Sequence, residues 1–253
     1  MAEEGSSRVT RGRVYLAALV LALAAAAALA VDLPVARACR THPQSQKSVV
    51  PRDVKKVLTL GEVFAHGAGV VGIALTLWIC NPARKRDVVR LLVASLGAGL
   101  AADLVKFLLV ARTRPHASNL DLSPLDTFVA FVPLASSRFA ETRFSRDFQS
   151  CPSAHAAVAA GLAVALSAMY PRGRWWFALL AAIAMAQRID AGAHFVSDTL
   201  AGASLGCFVG ALVALRPATL GPATPGPTAP QAPPPPATPS SESLGTPPHA
   251  AGE

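Results

Sequence analysis

The chain has 253 residues, 52% of them hydrophobic and 15% charged, with a formal net charge of +8. That is too apolar for an ordinary soluble domain and suits a small polytopic membrane protein. Its basic residues lie between apolar runs and its aromatics amount to only 6%. The positive charge therefore reads as orientation, headgroup contact or an anionic substrate, and nucleic-acid binding is set aside.

The first apolar run, Val14 to Val31, follows Arg8, Arg11 and Arg13. It is long for the apolar part of a cleaved signal, about 7–15 residues, and is read as an uncleaved anchor. A polar, basic loop over 32–56 follows. Val57 to Cys80 is apolar, then comes the cluster "NPARKRD", then Val88 to Ala111. Residues 112–154 hold Pro, Ser, Arg and Asp and read as an exposed loop. Three more apolar runs follow: Ala156 to Tyr170, Trp175 to Ala186 and Phe195 to Leu215. A bilayer core takes about 20 helical residues, so the fourth and fifth runs reach across only if their polar flanks join them.

The expected fold is an all-α polytopic membrane helical bundle of about six transmembrane helices. Residues 1–13 are expected to be a cytoplasmic N-terminus, 14–216 the membrane domain, and 217–253 a disordered Pro-rich tail. Gly202, Gly206 and Gly210 repeat a GxxxG spacing that suits a close helix-packing face. Cys39, Cys80, Cys151 and Cys207 form no CxxC pair, so a zinc site is not expected; no cofactor is expected. A Cys39–Cys151 bridge on the outer face stays open.

Short-loop charge alternates. Arg8, Arg11 and Arg13, then Arg84, Lys85 and Arg86, then Arg172 and Arg174 share one side, expected to be cytoplasmic together with the tail. The opposite face, toward periplasm, lumen or exterior, gathers Lys106, Arg114, Ser153, His155, Arg188, His194 and Asp198. Guanidinium forks match phosphate oxygens. "CPSAHAA" sets Ser153 and Ala154 at a helix start, where free N–H groups favour an anion. His194 and Asp198 are spaced i,i+4, so a carboxylate could fix the imidazole tautomer. His155 is a candidate general acid. Each residue alone has a plainer role: an N-cap for Ser153, a snorkelling cation for Arg114 or Arg188. Their gathering on one face favours chemistry. Glu62 and His66, i,i+4 in the second run, are read as a structural pair.

"KFLLVARTRP", "CPSAH" and "RIDAGAHFVSD" resemble the three signature motifs of the type 2 phosphatidic acid phosphatase superfamily, over about Leu60 to Leu215. That family includes lipid phosphate phosphatases, glucose-6-phosphatase and the vanadium haloperoxidases. The chain departs from the pattern at Ala154, where the family usually has Gly, at Gln187, where a Ser often stands, and in the seven residues between Lys106 and Arg114, where the family usually has six. The resemblance implies that His194 attacks phosphorus and becomes phosphohistidine, that Asp198 orients it, and that His155 protonates the leaving oxygen. Lys106, Arg114, Ser153, the Ala154 N–H and Arg188 would hold the phosphoryl oxygens without a metal. The expected partners are a membrane and a lipid phosphate or diphosphate; a transporter or headgroup-binding protein using the same cavity without turnover is the alternative. For the extra residue in the first motif, two resolutions stand: a helix bulge that keeps Lys106 on the phosphate, or pairing of Lys106 with Asp103 while Arg112 supplies the cation. The first is favoured, with Arg112 toward headgroups.

Overall fold

The apolar runs form helices, but not always one helix per run. The computed structural model describes residues 2–39, 50–121, 123–131 and 145–215, all within the unit Met1–Pro217; the Pro-rich tail lies outside the described residues. Seven α-helices are present among them: α1 (Ala2–Cys39), α2 (Arg52–Ala65), α3 (Gly67–Cys80), α4 (Lys85–Leu108), α5 (Ala154–Met169), α6 (Arg174–Asp190) and α7 (Val196–Val213).

The helical class holds, whereas a count of six spans is not reached by length and composition. Among the described residues three stretches, Arg11–Cys39, Pro82–Leu108 and Val196–Val213, are long and apolar enough to cross a bilayer. The second apolar run breaks at His66, and α2 and α3 make a fourth span only as a pair bent by 68°. His66 is extended there (φ −93°, ψ 138°), and its side chain accepts the Ala68 N–H, capping α3. This break also separates Glu62 from His66, so the expected pair gives way to other partners. α5 is apolar but only 16 residues long, roughly 24 Å at 1.5 Å per residue. α6 carries Arg174, Arg188 and Asp190 within its bounds.

Small residues bring the central helices together. α5 is buried on nearly every side, from Ala156 through Leu166. α4 faces it with Ala94, Ala98 and Ala102, each fully buried, and a Cβ on Gly161 would lie 2.5 Å from the Ala94 carbonyl oxygen. The GxxxG face of α7 packs on the same helix. A Cβ on Gly202 would lie 2.2 Å from the Ser153 carbonyl oxygen, and one on Gly206 2.3 Å from that of Ala157. In lipid, where apolar surface gains little by leaving one hydrocarbon for another, such backbone approach is a main source of helix association. Gly206→Ala should therefore push α5 and α7 apart at a cost of about 1–3 kcal/mol, read as a lower thermal midpoint in detergent. An unchanged midpoint would show that the contact yields freely.

Outward faces carry large apolar side chains: Leu16, Leu19 and Leu23 on α1, Leu75 and Ile79 on α3, Leu100 and Leu104 on α4. One end of the bundle collects cations. Arg84 donates to the Met169 carbonyl at 2.7 Å, joining the α3–α4 turn to the α5–α6 turn. Arg84 lies over Tyr170, Lys85 over Trp78 and Arg174 over Trp175, and Arg11 on α1 donates to the Leu215 carbonyl beyond α7. Aromatic and basic residues together are characteristic of a membrane–water boundary.

The other end is not a plain exposed loop. Strand β1 (Val110–Arg112) pairs antiparallel with β2 (Phe128–Phe131), in the register Val110↔Phe131, Ala111↔Ala130 and Arg112↔Phe128. Arg112 also bridges to Gln149. Within the stretch expected to be exposed, Arg112, Ser118, Thr127, Ser150 and Ser153 are buried. The four cysteines are free thiols, so the Cys39–Cys151 bridge does not form.

Candidate active site

Three chain segments build the site: the end of α4 with β1, the turn into α5, and the turn between α6 and α7. α6 ends at Asp190, and Gly192 takes a left-handed conformation (φ 63°) that side chains disfavour. The Arg188 carbonyl then accepts the N–H groups of Ala193 and His194, which sets His194 one residue before the Phe195 N-cap of α7.

His194 is 3% exposed. Its Nδ1 lies 2.8 Å from the Ser150 carbonyl oxygen. A carbonyl can only accept, so Nδ1 carries the proton and the Nε2 lone pair is left for chemistry. Asp198 Oδ2 is 4.0 Å from Nδ1, too far for a hydrogen bond. The expectation that His194 and Asp198 share a helical face is corrected here, because His194 precedes the helix. Asp198 instead closes the helix start, accepting the Phe195 N–H at 2.9 Å and the Ser150 hydroxyl at 2.6 Å through Oδ2. Ser150 thus ties the two together, its hydroxyl to the carboxylate and its carbonyl to the imidazole.

Burial pushes the His194 pKa well below the ordinary imidazole value; the charges of Arg114, Lys106 and Arg188 push the same way, against the hydrogen bond to Ser150. The net direction favours the neutral ring. Arg114 is held below the ordinary guanidinium value by burial and then by Arg188, as befits two like charges crowded together. Both keep a buried Nε–H that meets no acceptor among the described residues. Arg188 otherwise donates to Glu62 at 2.8 Å and to Gln187 at 3.3 Å. Glu62, read from its spacing as a structural partner of His66 rather than as a cavity-lining residue, instead meets the candidate site through Arg188.

Ser153 is the N-cap of α5, its Oγ accepting the Ala156 N–H. Ala154 and His155 are the first residues of that helix, and the His155 ring lies 6.3 Å from the His66 ring. Lys106 is 7% exposed and donates to Asp103 at 2.8 Å.

Arg112 departs most from expectation. It does not face headgroups: it is 0% exposed. Nε donates to Thr127 Oγ1 at 3.0 Å, Nη1 to Ser197 Oγ at 2.7 Å and to Asp198 Oδ1, and Nη2 to Asp32 Oδ2 at 2.7 Å. Phe128 and Phe195 cover its faces at 4.4 and 4.3 Å. Burial alone would lower its pKa, but Asp198 and Asp32 outweigh that and raise it. The extra residue of the first motif is not taken up by a helix bulge. α4 ends at Leu108, and the register shifts within β1 between Ala111 and Arg112. Lys106 does pair with Asp103, yet Arg112 is already committed to two carboxylates, so neither resolution holds as first drawn.

A family model described as the PAP2 superfamily matches residues 87–221, more than half of the chain. No curated protein and no solved structure matches.

Proposed function

The chain belongs to the PAP2 superfamily and so has a phosphatase-type activity on phosphate esters; from that premise we propose that it is an integral membrane phosphohydrolase that takes phosphate from a lipid phosphate or diphosphate through a phosphohistidine at His194. The observation that carries this is the pair of buried Nε–H groups on Arg114 and Arg188 that meet no acceptor among the described residues, beside a buried imidazole whose Nδ1 faces the Ser150 carbonyl. Buried donors without acceptors are costly, and a phosphoryl group supplies acceptors that match guanidinium geometry.

In the proposed reaction Arg114, Arg188 and Lys106 bind the phosphoryl oxygens, with the Ser153 hydroxyl proton and the Ala154 N–H at the start of α5. Nε2 of His194 attacks phosphorus in line. The bond from phosphorus to the lipid oxygen breaks, and its electron pair leaves on that oxygen, which takes a proton from His155. Burial and then Arg188 hold that ring below its ordinary pKa in the free protein, and the bound phosphate anion raises it so that the proton is in place. The phosphorylated imidazole retains its Nδ1 proton and is cationic. The Ser150 carbonyl and the nearby Asp198 charge stabilise it. Water then attacks phosphorus, giving a proton to His155; phosphate departs and neutral His194 is restored. The exposed apolar faces of the bundle suit a substrate delivered from the membrane.

Phosphate release across a panel of lipid phosphates and diphosphates, with capture of acid-labile, base-stable phosphate on the protein, tests the reading. Binding of such lipids without release or capture would favour a carrier. Lys106→Ala should lower kcat/KM about 10- to 1,000-fold, the loss expected for a charged phosphate contact, with the thermal midpoint little changed because its partner Asp103 is exposed. A loss under about twofold would leave Lys106 as a partner of Asp103 alone. The site is proposed to face periplasm, lumen or exterior, opposite the cationic end. Impermeant thiol labelling of single-cysteine variants tests this: reaction from outside at position 84 but not at position 125 would reverse the orientation.

A further inference from the structure

Asp32 stands near the end of an apolar helix, 1% exposed, in a part of the chain that precedes the matched segment 87–221. A carboxylate at such a place is costly unless each oxygen is satisfied. Here both are. Oδ1 accepts the Ser197 N–H at 2.9 Å; Oδ2 accepts Arg112 Nη2 at 2.7 Å and the Ser197 hydroxyl. Ser197 is the second residue of α7, so Asp32 satisfies one of the N–H groups that a helix start leaves open, from another helix. Asp198 satisfies the Phe195 N–H. Two carboxylates thus anchor the turn that carries His194, and Arg112 links them.

α1 runs antiparallel along α7. Arg11 meets the Leu215 carbonyl, the Ser204 hydroxyl donates to the Ala18 carbonyl at 2.7 Å, and Tyr15 lies against Phe208. Those ties fix the helix pair over its length, and near the site Asp32 adds hydrogen bonds to Arg112 and Ser197. Asp32 and Asp198 both engage Arg112, and this geometry holds Asp198 against Ser150.

We propose that Asp32 is a positioning residue of the catalytic centre: acting through Arg112 and Ser197, it fixes Asp198 and the His194 turn, so that α1 belongs to the active site. This rests on the assignment of His194 as nucleophile.

The test is Asp32→Asn in the full chain in detergent, with folding checked by size exclusion and thermal midpoint. Two readouts are taken. In turnover of a phosphate ester cleaved by the native protein, kcat should fall about 10- to 100-fold while KM moves less than about threefold, because the phosphate contacts are untouched. In ¹⁵N-histidine spectra, with His194→Gln used to identify the signal, the native ring should show a single Nδ1–H tautomer and the variant a mixture. Arg11→Ala, which cuts the α1–α7 tie at the far end, should leave both readouts unchanged. If Asp32→Asn does not fold, Asp32→Glu keeps the charge but displaces it by one methylene and should give the same two changes. A folded variant with kcat within about twofold and an unaltered His194 signal overturns the proposal. If the native protein releases no phosphate from any ester, the functional reading falls, and the tautomer measurement alone still decides whether Asp32 positions His194.

Discussion

His194→Gln is expected to release no measurable phosphate while remaining folded and able to bind a phosphate ester. The amide can still donate toward the Ser150 carbonyl, and the Arg114 and Arg188 contacts are untouched. What disappears is the Nε2 lone pair, for which glutamine has no substitute at phosphorus. Losing a nucleophile leaves only positioning and charge stabilisation, so the fall in kcat should be at least about 10⁴-fold, or about 5.5 kcal/mol of barrier. Labelled phosphate should be trapped on the native protein and not on the variant. The protonation state supplies a second check. Because the folded pKa is depressed, the neutral ring is the form present above it, and it persists as pH falls through the ordinary imidazole value of about 6.5. ¹⁵N-histidine spectra of the free protein should therefore show His194 neutral at pH 6. A half-titrated ring near 6.5 would mean that burial and the three neighbouring cations do not act as the geometry implies. Near-native phosphate release by His194→Gln would place the nucleophile elsewhere.

The candidate site residues were legible in the sequence as candidates because they come in short, ordered motifs with fixed spacing. Arg188, His194 and Asp198 straddle the turn from α6 to α7, and Ser153, Ala154 and His155 sit at one helix start. The helix-packing face was legible for a similar reason: glycines at Gly202, Gly206 and Gly210 have a physical meaning at any i,i+4 repeat. What stayed hidden was contact between distant segments. Asp32 is separated from Ser197 by 165 positions and from Arg112 by 80, and nothing local distinguishes it from the polar loop that begins beside it. Its one signal was a carboxylate directly after an apolar run. Ser150 was hidden because it acts by its backbone carbonyl as much as by its hydroxyl, and a carbonyl has no residue code. The i,i+4 spacing of His194 and Asp198 misled for the converse reason. The spacing is a helical one, but the helix begins between the two residues. The break at His66 was likewise invisible to hydropathy, which reads Val57 to Cys80 as continuous.

Arg112→Met should be the more damaging of the two first-motif substitutions, through folding rather than through phosphate binding. The side chains of Arg112, Asp32 and Asp198 are all fully buried. Removing the cation leaves two carboxylates without a counter-charge inside the bundle, a loss of about 3–5 kcal/mol when one partner of a buried pair is deleted. Methionine fills much of the space between Phe128 and Phe195, so the effect is electrostatic more than a matter of volume. The fold can respond only by protonating a carboxylate or by letting α1 and the β1–β2 hairpin move away, and either response disturbs Asp198. The expected result is a thermal midpoint lowered by on the order of 10 °C, together with loss of turnover. Arg112→Lys should not rescue it. One ammonium cannot reach Thr127, Ser197, Asp198 and Asp32 at once, whereas the guanidinium fork does so with three nitrogens. Lys106→Ala provides the contrast, with turnover reduced and the midpoint nearly kept. The opposite ranking, a stable Arg112→Met with weakened phosphate binding beside a Lys106→Ala that turns over normally, would return Arg112 to the phosphate and leave Lys106 to Asp103.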